Sequence, residues 1–184
     1  MSNHGVIIQR IIDVLESDIT IFEKNVSGKL RKINFGNPPQ NNASFSSMLP
    51  CAYVTTLQSL QKIHPEFGHS TNGNLLDKTD YAIIIASSGS TTESAQRQLY
   101  DLEANVKVTL ESNRKFTKPS DSTDPLFTRS TIVDTHKDSS LFGKNIETIT
   151  IILQTESRNV NTVSMVGVTE LTDIPVLSSN IRNT

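Results

Sequence analysis

Histidine, cysteine, serine and paired carboxylates are the residues that could do chemistry in this chain, and each is tested by its spacing. His64, Glu66 and His69 fall within the run H-P-E-F-G-H and offer nitrogen and oxygen donors to a metal ion. Pro65 and Gly68 break the helical face that would bring the two histidines together, and a third imidazole would have to come from His4 or His136. No metal site is expected. Cys51 is the single cysteine, so an internal disulfide and a cysteine cage are both excluded, and its place after Pro50 at the start of an apolar run suits a small buried hydrophobe better than a nucleophile. Gly28-Lys29 lacks the glycine-bracketed loop of a phosphate cradle, and no serine stands in a G-x-S-x-G turn or an S-x-x-K pair. No catalytic set and no cofactor are expected. Ser87-Ser88-Gly89-Ser90 joins a strand to a helix and could aim backbone amides at an anion. Its simpler role is capping, because Ser90 and Glu93 form an S-x-x-E box and the Glu93 carboxylate would repel an anion.

The elements that would carry these residues follow from periodicity. Apolar side chains at 7, 8, 11, 12, 15 and 19 predict a first helix over Val6 to Ile19. Ala95, Leu99, Leu102, Val106 and Leu110, spaced four, three, four and four, predict a second helix from near Thr91 to Asn113. Arg114, Lys115 and Lys118 beyond it would complement its negative end, contact with a nucleic-acid backbone being the lesser alternative. Asp80-Tyr-Ala-Ile-Ile-Ile-Ala86 is a continuous apolar run of strand length, as expected at the centre of a sheet. Cys51 to Leu60 is strand-like, Val26 to Phe35 fits an irregular strand, and Thr131 to Thr135 with Asn145 to Leu153 fit an antiparallel closing pair. Connections are expected at Asn37 to Pro50, an extended proline-bearing loop, at Gln61 to Thr79 with a hairpin turn at Asn72-Gly73, and at Lys118 to Pro125. A further strand at Val163 to Leu171 would belong to a C-terminal arm.

Composition sets the class. Ser, Thr and Asn supply 57 of 184 residues while 35 % are hydrophobic, which gives a thin core and long polar surfaces. The net charge of −2 writes no general attraction to nucleic acid or anionic membrane into the chain. With no tryptophan and ten aromatic residues, stacking platforms for single strands are not expected. No apolar run approaches the length of a membrane span and no export leader is legible, so a soluble protein is expected. The fold class is α+β: a mainly antiparallel sheet with two helices on one face, in one domain over residues 1–155, followed by an extended arm over 156–184.

The order of elements, with D-Y-A-I-I-I-A followed by S-T-T-E-S-A-Q-R-Q-L-Y-D-L-E-A-N-V-K-V-T-L, the opening I-I-Q-R-I-I-D-V-L and the proline-bearing entry to Cys51-Ala-Tyr-Val, resembles the tail-terminator proteins of long-tailed bacteriophages. The resemblance spans about Val6 to Thr155, is one of element order and pattern, and departs from the family in the loop from Gln61 to Thr79 and in the length of chain after Glu156. It implies a non-enzymatic virion protein of the tail and neck. Such a protein would form a homo-oligomeric ring, a hexamer, that caps the tail tube and meets the head-to-tail connector, with genomic DNA passing through the lumen unbound and no membrane partner. Under that reading the subunit and partner contacts fall on apolar residues of the arms with no evident core to enter: Pro38, Pro39, Phe45 and Leu49 in the loop, and Val163, Val166 and Val168 near the C-terminus. Another neck or connector protein, or a small anion-binding α+β module using Ser87 to Ser90, is the alternative.

Overall fold

The computed structural model describes residues 3–39, 45–63, 75–114, 116–118, 121–125, 129–138 and 145–159. Its elements in chain order are α1 (Asn3–Ser17), β1 (Lys32–Phe35), β2 (Cys51–Ile63), β3 (Leu75–Ser88), α2 (Thr92–Ser112), β4 (Thr117–Lys118), β5 (Asp121–Pro125), β6 (Arg129–Asp138) and β7 (Ile146–Asn159). Five strands form one sheet in the order β1-β2-β3-β7-β6, and β4 with β5 forms a separate two-stranded ribbon. Only β1 runs parallel to its neighbour; β2–β3, β3–β7 and β6–β7 are antiparallel. The expected α+β architecture is present.

Register explains which side chains meet the helices. Ala52, Ile85 and Ile149 lie abreast, as do Val54, Ile83 and Ile151, and these rows share a face with Tyr81 and Leu153. Against that face α1 lays Ile8, Ile11, Ile12 and Leu15, and α2 lays Leu99, Leu102, Val106 and Leu110, all in one buried cluster. Both helices therefore cover the same face. Tyr81, Ala82, Ile83, Ile85 and Ala86 are fully buried, as the apolar run of the central strand requires.

The second face is covered differently from the sequence expectation. Phe45 and Leu49, expected as free interface residues of an extended loop, are 0 % and 4 % exposed and join Cys51, Tyr53, Ala86 and Ile146 in a second cluster. A helical turn beginning at Phe45 places these two side chains four residues apart onto the sheet, and the Phe45 and Tyr53 rings stack at 6.1 Å. They have a core of their own chain to enter. Pro38 and Pro39 are half-buried in the preceding coil, and Val163, Val166 and Val168 lie outside the described residues, as does the strand expected at Val163 to Leu171.

Other differences have local causes. The first helix stops at Ser17, whose hydroxyl donates back to the Val14 carbonyl, so Ile19 falls outside it and is 67 % exposed. Residues 24–29 make turns and a bend in place of a strand, with Asn25 and Gly28 at positive φ; Leu30 forms an isolated parallel bridge with Phe22, and Lys32–Phe35 pairs with β2. The connection expected over Gln61 to Thr79 is shorter, since β2 runs to Ile63 and β3 begins at Leu75; Asn72-Gly73 lies outside the described residues. Part of Lys118 to Pro125 forms the β4–β5 ribbon. β7 continues to Asn159, paired with Leu75, so the sheet extends past the boundary expected at residue 155.

The cap of α2 sits one residue later than the S-x-x-E frame. Thr91 is the N-cap: its Oγ1 accepts from the Ser94 amide at 3.2 Å, and Ser94 Oγ accepts from the Thr91 amide at 3.1 Å. Glu93 pairs instead with Arg97 one turn on. Gly89 makes this entry possible, because a Cβ there would stand 2.1 Å from Ser94 Oγ and 2.7 Å from the Ala95 nitrogen.

Asp18 ties the end of α1 to α2. Its carboxylate accepts from the buried Thr109 hydroxyl and from the Thr20 amide and hydroxyl. These bonds, Thr109's first, hold its pKa below the ordinary 3.8. A depressed carboxylate stabilises the fold above its unfolded pKa and loses that contribution as pH falls through the lower folded value. Thr109→Val is therefore expected to cost about 1 kcal/mol at pH 7, with the difference narrowing below the ordinary carboxylate pKa. Urea denaturation at neutral and acid pH measures this, and an equal loss at both would refute the assignment to the carboxylate.

Candidate functional site

Among the described residues, the side chains that chemistry would need do not converge. His64, Glu66 and His69 lie outside the described residues, His4 contacts the buried Tyr81 hydroxyl through Nδ1 at 3.2 Å, and His136 sits on β6, 3.6 Å from Asp134. Among the described residues no group of three histidine, cysteine, aspartate or glutamate side chains is placed to hold a metal ion. At the Ser87 to Ser90 turn, Ser87 is buried with its hydroxyl donating to Gln98 Oε1 at 2.5 Å and the Gly89 amide donates to the Asn145 carbonyl at 3.3 Å, while the Thr91 and Ser94 amides just beyond serve the helix cap.

Cys51 is buried at the start of β2 in the second core cluster. Burial pushes its thiol up to about 12, against smaller opposing effects of Tyr53 and Lys32. At pH 8 such a thiol holds about a thousand times less thiolate than an ordinary cysteine. Iodoacetamide is expected to leave the native protein unlabelled at that pH and to label it fully in urea, and rapid native labelling would contradict the placement.

What the fold does assemble is a set of features suited to contact. The sheet has two edges, β1 and β6, with no partner strand among the described residues. Both β2 and β6 carry a bulge at the same level, flanking the row of Tyr81 and Leu153: Leu57 is the extra residue between Thr56 and Gln58, and Val133 between Ile132 and Asp134. Bulges raise local twist and turn the strand beyond them. Leu57 and Val133 are 53 % and 49 % exposed, and Phe35 on the opposite edge is 59 % exposed. Past the bulges the sheet continues as an extension built from the ends of β2 and β7 and the start of β3, ending at the row of Ile63, Leu75 and Asn159.

Two charged groupings complete the picture. On the helix face, Glu147 is buried, with Oε1 accepting from Gln96 Nε2 at 3.4 Å. Lys137 Nζ is 3.0 Å from Oε2, near enough for an ion pair though out of line for a hydrogen bond, and lies 5.6 Å from the centre of the Tyr100 ring. At the far end of α2, Arg114, expected first to complement the helix end, shares two hollows with Glu111. The hollow of about 220 Å³ is bounded also by Arg129 of β6, and that of about 400 Å³ by Arg10 of α1. Neither grouping is marked in the sequence by a motif, since their members come from three elements each.

No helix among the described residues is long and apolar enough to cross a membrane. No protein-family model matches the chain, and no curated protein matches it.

Proposed function

We propose that the chain is a structural subunit of a viral tail, of tail-terminator type, which closes with copies of itself into a ring, a hexamer, capping the tail tube and meeting the head-to-tail connector. The observation that carries the reading is a sheet whose helices lie on one face while, among the described residues, its other face is covered only in part by residues 45–50 and both edges lack a partner strand, with apolar Phe35, Leu57 and Val133 exposed. A subunit of this kind completes its burial on neighbours, by strand addition or by packing of faces. The resemblance in element order supplies the setting, and the net charge of −2 suits a lumen through which DNA slides without being held. In this reading the protein works in the virion, carries no catalysis and needs no cofactor.

The test is the mass of the purified protein across a concentration series, with negative-stain imaging of large species, alone and with tail-tube protein. Rings on their own or on the tube are expected. A protein that stays monomeric at every concentration and ignores both tube and connector proteins sinks the reading.

A further inference from the structure

We propose that subunits of the ring join edge to edge: β1 of one copy takes β6 of the next as an antiparallel neighbour, so that one sheet runs on from chain to chain. The inference rests on the ring reading and adds to it the contact that joins one subunit to the next.

Both edge strands lack a partner among the described residues, and neither β1 (K-I-N-F) nor β6 (R-S-T-I-V-D-T-H-K-D) contains a proline that would interrupt a new ladder. Their directions are compatible. β1 runs with β2, and each step from β2 through β3 and β7 to β6 reverses direction, so β6 runs opposite to β1. A neighbour whose sheet faces the same way therefore offers β6 to β1 as an antiparallel strand. The four residues of β1 fit within the stretch of β6 from its bulge to its end, 133–138.

Faces and charges select this pairing over its rivals. Lys32 and Asn34 stand beside Cys51 and Tyr53, and Asp134 and His136 stand beside Ile152 and Thr150, so all four belong to the second face. Lys32 is exposed and forms no ion pair with a described residue. The Asp134 carboxylate, also exposed, reaches the next two residues of its own strand, the Thr135 amide at 2.7 Å and the His136 ring at 3.6 Å. Two β1 strands paired together would bring their Lys32 ammonium groups near each other, and two β6 strands paired across their bulges would do the same with the Asp134 carboxylates. β1 with β6 brings opposite charges together instead. One register also joins the apolar residues of the two edges: with Lys32 opposite His136, Asn34 stands opposite Asp134 and exposed Phe35 opposite exposed Val133, while Lys32 is diagonal to Asp134. Each chain supplies one β1 and one β6, so the contact is head-to-tail, the type that closes into rings.

Crosslinking in the full-length protein tests this. Within one chain, positions 34 and 136 are four strand spacings apart, about 19 Å; across the proposed contact they are diagonal neighbours at about 7 to 8 Å. Asn34→Cys mixed with His136→Cys and a short bismaleimide, alone or on tail-tube protein, should give covalent dimers, and neither variant by itself should. Crosslinking of either variant with itself would show like edges pairing and overturn the proposal, as would a mixture that gives no crosslink in either setting. Charge exchange supplies a second readout. Lys32→Glu and Asp134→Lys should each weaken self-association about tenfold or more, and both substitutions in one chain should restore it, because every contact again joins opposite charges. Unchanged assembly of either single variant, or a double variant no better than the singles, overturns the proposal. The ring is judged separately: crosslinked dimers and open chains without rings would leave the edge contact standing and remove the ring, whereas rings without the crosslink would leave the ring and remove the contact.

Discussion

Leu99→Ala is expected to lower stability by about 3 to 4 kcal/mol, a large share of the 5 to 15 kcal/mol typical of a folded domain. Leu99 is fully buried near the middle of α2, in the cluster that also holds Ile83, Ile151 and Leu102, so truncation leaves a cavity walled by both a helix and a sheet. Rigid strands on one side limit collapse into the space, which puts the cost toward the upper part of the range for such changes. Val108, on the same helix but 64 % exposed, supplies the control: Val108→Ala should stay within about 0.5 kcal/mol. Chemical denaturation of both variants measures the difference. A loss at Leu99 no larger than at Val108 would mean that α2 is not packed on the sheet through this stripe.

The same stripe shows what could be inferred without coordinates. Ala95, Leu99, Leu102, Val106 and Leu110 repeat with helical spacing along a helix that buries one side, and all five are buried. Asp80 to Ala86 was equally legible, because a strand covered on both faces needs apolar residues at consecutive positions. Phe45 and Leu49 were not, since two apolar residues in a serine-rich stretch carry no period that tells a free arm from a plug on the second face. The cap of α2 was displaced because S-T-T-E-S contains two overlapping frames, Ser90 with Glu93 and Thr91 with Ser94, and the fit around Gly89 selects the second.

The charged groupings were invisible for a different reason. Lys137 and Glu147 are ten positions apart across a hairpin, and only the pairing of Lys137 with Ile149 and the alternation of β7 bring them to one face. Arg10, Arg114 and Arg129 belong to α1, the end of α2 and β6, so their approach depends on how both helices sit on the sheet. Contact surfaces of this kind have no spacing rule.

Lys137→Met is the second substitution expected to cost heavily, by about 2 to 3 kcal/mol, because it leaves the Glu147 carboxylate without its cation. The Glu147 side chain is 4 % exposed, while that of Lys137 is 28 % exposed and reaches it along the face of Tyr100. Water can partly replace the ammonium, which keeps the cost below that of a fully enclosed pair. Removing both charges in Lys137→Met/Glu147→Leu should recover most of the loss, since the remaining pocket can be filled by apolar atoms and no charge is stranded. Arg97 and Glu93, an exposed pair at 78 % and 74 %, should show no comparable coupling and should fade with added salt. The consequence reaches the assembly, because Lys137 lies on the edge strand β6 and the pair fixes that strand to β7 and α2. If the ring forms through the β6 edge, Lys137→Met should weaken self-association beyond what its stability loss explains, and the double variant should restore the fold before it restores the ring. A Lys137→Met protein as stable as the wild type would show that the buried carboxylate is held by Gln96 alone.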